Sequence, residues 1–231
     1  MNRSMIATGL LSFCTAAMGQ ARPAVVELFT SQGCSSCPPA EKYVGELARR
    51  PEVIALTFHV DYWDGLGWRD RFSSSEATQR QRDYAQALGS RSVYTPQAVV
   101  DGRRDFAGSN RSAIESALKE PRSGVPVTIS IHDGSVVVGI GATKDSMASD
   151  ILLVAYLRSA TSSIGRGENA GRTIQESNIV RGFRRIGRWQ GKEQTLQTSL
   201  DSISRDATDV AVLVQQVPQG SIIGAARIAV R

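Results

Sequence analysis

The sequence predicts an α/β unit with element order β-α-β-α-β-β-α, followed by a mainly β, sandwich-like C-terminal unit. Three observations carry this reading. Two short apolar runs rich in β-formers, AVVELFT and VIALTFHV, flank a segment with apolar residues at helical spacing, the pattern of a βαβ unit. A second helical segment, two strand-like runs around a turn and a third short helix complete the first unit by Glu120. Beyond Gly124, helical periodicity gives way to alternating runs separated by turn residues.

Residues 1–21 start with Arg3, continue with an apolar centre from Ile6 to Ala17, and carry small residues at Ala17, Gly19 and Ala21. That is the layout of a secretory signal peptide. Its removal leaves residues 22–121 as the α/β unit and 125–231 as the β-rich unit, with a linker near Glu120–Gly124. The run at 24–30 is a buried strand. In AEKYVGELARR the apolar Tyr43, Val44, Leu47 and Ala48 share one helical face, and Pro51 ends the helix. Val53–Val60 is apolar enough to be covered on both faces, as a parallel strand is. SSSEATQRQRDYAQALGS is a helix with a serine cap and Gly89 at its end. TPQAVVDG and RRDFAG form a hairpin turning at Asp101-Gly102. SNRSAIESALKE is a short amphipathic helix, capped by Ser109 or Asn110 and stopped by Pro121. In the second unit VPVTISI and SVVVGIGA turn at His132-Asp133-Gly134. DILLVAYLRSA, NIVRGFRRIGRW, TLQTSL, DVAVLVQQV and SIIGAARIAV follow, about six to eight strands in all.

The chain of 231 residues is 41% hydrophobic, enough for a substantial core, yet it has no apolar run long enough to span a bilayer. The net charge of +5 is spread along the chain and supports no more than weak attraction to acidic surfaces. The denser run RGFRRIGRW reads as a solvated strand face, and nucleic acid is not an expected partner of an exported chain. A periplasmic or secreted location follows from the leader.

Cys14 falls within the leader, so the mature chain keeps only Cys34 and Cys37, in TSQGCSSCPPAE. Export places them where disulfides persist. A bridge across so short a loop is a poor staple, because loop-closure entropy grows with loop length. A C-x-x-C beside a βαβ unit reads instead as a thioredoxin-like redox motif. Free N–H groups and the positive dipole end at a helix N-terminus favour thiolate over thiol, and the second cysteine is close enough to resolve a mixed disulfide.

Residues 24–119 resemble a thioredoxin fold. More closely, ELFTSQGCSSCPPAE, HVDYWDGLGW, RQRDYA and VYTPQAVVDG, with the later RGENAGR and GAARI, resemble the secreted thioredoxin-like family catalogued as domain of unknown function 1223. The resemblance covers nearly the whole mature chain and implies a thioredoxin-like domain with a C-terminal extension, without a substrate. It also implies a cis bond at Thr95-Pro96, with the Thr95 backbone presented to a bound peptide opposite the cysteines. Departures from ordinary thioredoxins are clear. Ser-Ser separates the cysteines, no Trp precedes Cys34, and Pro38 and Pro39 follow Cys37. Proline pushes the preceding residue away from helical geometry, so Cys37 is expected just outside the helix. The buried acid of ordinary thioredoxins falls at Leu28 here, with Glu27 beside it as a candidate proton acceptor or a paired structural carboxylate.

Loops after two parallel strands leave the sheet at one edge, so His59-Val60-Asp61-Tyr62-Trp63-Asp64 belongs near the cysteines. His59 and Asp61 are candidates for proton transfer or for a strand hydrogen bond and a turn cap. Tyr62, Trp63 and Trp68 offer an apolar platform for substrate or for packing. GRGENAGR reads as a loop packing on the first unit, since its spacing is not that of a phosphate loop.

The function expected is thiol–disulfide exchange at Cys34 and Cys37, with Thr95, Pro96 and Trp63 binding substrate. The client is a protein or small thiol, a redox partner restores the pair, and neither a cofactor nor a resident metal is expected. Two alternatives stay open: a Cu(I) carrier using the two thiolates with His59, and a binding module with non-catalytic cysteines. No arrangement of Ser, His and Asp suggests a hydrolase triad.

Overall fold

β1 (Ala24–Thr30) and β2 (Val53–His59) run parallel in unbroken register, from Ala24 opposite Val53 to Thr30 opposite His59, and every residue of both is buried. The computed structural model describes residues 22–144, 147–200 and 204–230. The expected leader lies outside them. Between β1 and β2 runs α1 (Pro38–Leu47), and Val53 is followed after β2 by α2 (Ser75–Ala87). Ser74 caps α2 by accepting from the Ala77 N–H at 3.1 Å. Its other end closes as the sequence suggests. Gly89 adopts φ +70°, and the Ser90 N–H reaches the Ala85 carbonyl at 2.8 Å, satisfying a carbonyl that the helix leaves free.

β3 (Gln97–Val100) and β4 (Arg104–Ala107) form the expected hairpin, and α3 (Arg111–Leu118) follows with Asn110 as its cap. Asp101 and Gly102 both have positive φ, as do Asp133 and Gly134 in the next hairpin. Asp-Gly is the pair that accepts this turn. β5 (Val127–His132), β6 (Ser135–Ile140), β7 (Ser149–Ser163), β8 (Thr173–Trp189), β9 (Gln194–Ser199), β10 (Asp209–Gln216) and β11 (Ile222–Ala229) complete the chain.

The result is a mixed α/β protein with a large sheet and few helices. Eight strands form one sheet in the order β11-β10-β7-β8-β2-β1-β3-β4, and β5-β6-β9 form a second, three-stranded sheet. The large sheet runs across the linker expected near Glu120–Gly124, because β8 leans on the free edge of β2. That seam is narrow. Thr57 pairs with Ile179 in parallel, the Thr57 hydroxyl donates to the Ser177 carbonyl at 2.7 Å, and the Asn178 amide donates to the Ala55 carbonyl at 2.8 Å. Asn178 has φ +50°, a conformation asparagine tolerates better than most residues, and it bends β8 onto β2. Sequence periodicity shows which residues form strands but not that a strand will change partners halfway.

Alternation sorts the sheet's side chains into two faces. Val25 and Phe29 of β1, Phe58 of β2, Tyr156 of β7 and Leu213 of β10 pack with Ala77 and Tyr84 of α2 in one core that serves both halves of the chain. On the opposite face, Val26 and Leu28 meet Tyr43, Val44 and Leu47 of α1 and Ile114 of α3. Farther along that face, Leu153 and Val212 meet Val136 and Val138 of the small sheet around Trp189, a two-layer sandwich. On the α2 face a buried ion pair joins helix to sheet: Arg80 of α2 donates to Glu27 of β1 at 2.6 and 3.0 Å and to Gln215 of β10 at 3.1 Å.

Candidate functional site

The cysteine loop leaves β1 at Thr30 and folds into a turn, with the Cys34 N–H donating to the Ser31 carbonyl and the Cys37 N–H to the Cys34 carbonyl. Cys34 and Cys37 are joined as a disulfide, their Cα atoms 5.5 Å apart. Cys37 is the N-cap of α1, in the place expected, but its φ of −79° and ψ of −37° are helical despite the following proline. The hydrogen-bonded turn back to Cys34 holds that conformation. Pro38 and Pro39 occupy the first helical positions and have no N–H, while the N–H groups of Ala40 and Glu41 donate to the Cys37 carbonyl. The helix end therefore offers the cysteines few free donors.

Three segments converge on the disulfide. The Thr95–Pro96 bond is cis, and the Thr95 carbonyl oxygen lies 3.9 Å from Cys34 Sγ. Trp63 Nε1 donates to the Thr95 hydroxyl at 2.9 Å, and the start of its side chain lies close to Gly33, where an added Cβ would come within 3.3 Å of Trp63 Cβ. Thus Thr95, Pro96 and Trp63 do gather around Cys34. The third segment is the loop between β7 and β8, which contains the unusual GRGENAGR. Asn169 donates its amide to the Gln32 and Cys34 carbonyls, both at 2.9 Å, and the Glu168 carboxylate accepts from the Ser35 N–H at 3.1 Å. Under this cover both cysteines have 0% exposure, while Ser35 and Ser36 remain exposed.

The proton-transfer candidates separate. Glu27 points to the α2 face, away from α1, where Arg80 and the Tyr84 hydroxyl hold its carboxylate. Asp61 accepts from the Thr78 hydroxyl at 2.6 Å and secures the loop to α2. Only His59 joins a chemically unusual group. It is fully buried with Asp70 and Glu176, and one ligating atom of each lies within 4.8 Å of the others.

His59 Nδ1 lies 2.7 Å from Asp70 Oδ2, and Nε2 lies 3.9 Å from Glu176 Oε1. Asp70 also accepts the N–H groups of Gln32 and Phe72. Glu176 accepts from the Gln32 amide and the Ser162 hydroxyl, both at 2.7 Å. Gln32 thus connects this group to the cysteine loop, and Trp68 Nε1 donates to its carbonyl at 2.9 Å. Glu41, one turn into α1, is buried beside them and accepts from the Thr30 hydroxyl at 2.8 Å. Burial pushes its pKa up to about 7, against the attraction of His59 and the Thr30 hydrogen bond and with the repulsion of Glu176 and Asp70. Burial pulls His59 down, but the charge and hydrogen bond of Asp70, with Glu41 and Glu176, outweigh it and leave the imidazole raised. Asp70 is lowered: burial raises it, and His59 and the two backbone donors more than offset that.

A family model described as "Protein of unknown function (DUF1223)" matches residues 25–215. The chain belongs to this family. The crystal structure of protein AGR_C_4864 from Agrobacterium tumefaciens is similar to it, with a TM-score of 0.80 and 32% identity over 90% of this chain and 95% of that one. No curated protein matches. In this DUF1223 chain the quoted motifs have a common address: GCSSC, HVDYWD, VYTP and RGENAGR all meet at the disulfide or just beneath it.

The sequence reading missed Glu41, Asp70 and Glu176. Glu41 had a signal, standing four positions after Cys37 on the buried side of a helix. Asp70 had a weaker one, in the loop that follows β2 and His59, and Glu176 had none, because only the bend of β8 brings residue 176 to the end of β2.

Proposed function

We propose that the protein is an exported thiol–disulfide oxidoreductase with a thioredoxin-like first half, and that Cys34 and Cys37 are its redox pair. The observation that carries this reading is the convergence of the bridged pair, the helix start and the Thr95 carbonyl at one edge of the sheet. Such a carbonyl edge offers a backbone acceptor to a client peptide lying beside Cys34. In the reduced protein the Cys34 thiolate attacks a client disulfide, and one client sulfur leaves as thiolate. Cys37, as thiolate, then attacks Cys34 Sγ, closes the bridge and releases the second client thiol, so two electrons pass to the client. The reverse sequence oxidises a client dithiol. The two prolines leave α1 with fewer free N–H groups, which favours a Cys34 thiol less acidic than a helix start ordinarily gives.

The burial of both sulfurs favours a second reading, in which the bridge is structural and the protein is a binding module. The deciding experiment is the reduction potential of the pair, by glutathione equilibration with thiol trapping on metal-free mature protein. A reversible two-electron transition between about −120 and −270 mV supports catalysis, and its value gives the direction of electron flow. A pair still oxidised below about −300 mV makes the bridge structural.

A further inference from the structure

We propose that His59 and Glu176 are ligands of a buried divalent transition-metal site, with Asp70 orienting the imidazole and the neighbouring Glu41 adding negative charge. Charge is the first reason. Three carboxylates, Glu41, Asp70 and Glu176, are buried together, and among the described residues the ion pairs at this group involve only His59. Elsewhere the same protein buries Glu27 with a full guanidinium partner in Arg80. Buried carboxylates without a cation are costly, and they either take up protons or bind one.

Unpaired atoms are the second, independent reason. His59 Nε2 and Glu41 Oε2 are both buried without a hydrogen-bond partner. With the proton on Nδ1, shared with Asp70, Nε2 presents a lone pair to the Glu176 carboxylate, and two acceptors face each other. With both nitrogens protonated, Nε2–H has its nearest carboxylate at 3.9 Å, beyond hydrogen-bond reach. Either state leaves a buried polar atom unsatisfied. A cation between Nε2 and Glu176 Oε1 satisfies both. Tetrahedral bonds of roughly 2.0 Å place two ligands about 3.3 Å apart, so a closure of roughly half an ångström from the present 3.9 Å suffices.

The surroundings fit a metal. A ligating histidine ordinarily donates a hydrogen bond from its other ring N–H to a carboxylate, which fixes the tautomer, and Asp70 is placed to accept from Nδ1 in this way at 2.7 Å. The Gln32 and Ser162 donors orient Glu176. A set of one imidazole nitrogen and carboxylate oxygens suits Zn²⁺. Glu41 also stands in the wall of a cleft of about 550 Å³ between α1 and the start of β8. This site is distinct from a copper site at the cysteines, since neither sulfur belongs to the cluster.

The test is metal content and stability of the full mature protein. Chelator-treated protein is equilibrated with Zn²⁺, freed of excess by gel filtration and analysed by elemental mass spectrometry, alongside Glu176→Gln and a Cys34→Ser/Cys37→Ser variant. About one equivalent is expected in the wild type and the cysteine variant, and less than a tenth in Glu176→Gln with an unchanged circular dichroism spectrum. Thermal unfolding of the wild type, which needs no variant, is expected to move to higher temperature with added Zn²⁺. Co²⁺ in place of Zn²⁺ is expected to give visible absorption without thiolate charge transfer. Wild-type protein that keeps no metal and shows no stabilisation overturns the proposal and assigns the gap to a water molecule. Metal lost with the cysteines, or kept in full by folded Glu176→Gln, overturns it as well.

Discussion

The side-chain amide of Asn169 donates to the backbone carbonyl of Cys34, a residue 135 positions earlier in the chain, at 2.9 Å. The same amide serves Gln32, and both contacts are buried. One side chain of the β7–β8 loop therefore fastens the cover over the disulfide. Replacing it takes the amide from both carbonyls; that of Cys34 keeps the Cys37 N–H, and the loss of the buried Gln32 contact costs about 1–3 kcal/mol. Asn169→Ala is expected to open the cover and speed reduction of the bridge by dithiothreitol about tenfold, followed by thiol release. An unchanged rate would mean that the loop does not gate the sulfurs.

Glu27 stood beside the position where ordinary thioredoxins keep their buried acid, and the structure turns it to the other face of the sheet. There it holds Arg80, which also donates to Tyr84 and Gln215. Arg80→Met leaves the carboxylate buried without its cation and is expected to cost about 3–5 kcal/mol in urea unfolding. The reduction potential of the cysteine pair is expected to stay at the wild-type value. A shifted potential with unchanged stability would return Glu27 to the redox site.

The difference between what the sequence shows and what it hides has a physical origin. Local signals held: the Ser74 cap, the Gly89 stop and both Asp-Gly turns depend on residues within a few positions of one another. The meeting of Thr95 with Cys34 followed from element order and resemblance. The seam between β2 and β8 was not legible, because it depends on one asparagine bending a strand of 17 residues. The acid group beneath the cysteines was hidden for the same reason. Glu176 reaches His59 only once that strand has crossed to β2.

Gly108 lies where β1, α1 and the Thr95–Pro96 turn come closest. A Cβ there would sit 2.8 Å from Leu28 Cδ1, 3.0 Å from Pro96 Cβ and 3.1 Å from Ala40 Cβ. Gly108→Ala is therefore expected to destabilise the fold by about 1–3 kcal/mol, the usual cost of overpacking. Gly182→Ala is the comparison, because nothing lies within 4 Å of the added carbon. Equal unfolding midpoints for the two variants would show that the turn yields without strain.

The buried carboxyl of Glu41 makes stability depend on pH in a defined sense. Its pKa is raised from 4.5 to about 7, so the folded state binds the proton more tightly than the unfolded state. The stability this contributes is complete below about pH 4.5 and is lost as pH rises through 7. His59, also raised, acts in the same direction above its ordinary 6.5, whereas lowered Asp70 contributes stability that disappears only in acid. In chelator-treated protein, Glu41→Gln keeps the acceptor for Thr30 and removes the charge. Its gain over the wild type is expected to be small at pH 5 and to grow to on the order of 3 kcal/mol by pH 8. Urea unfolding at several pH values measures that difference. A gain independent of pH, or a loss that deepens as pH rises, would mean that Glu41 is already ionised and compensated in the folded protein.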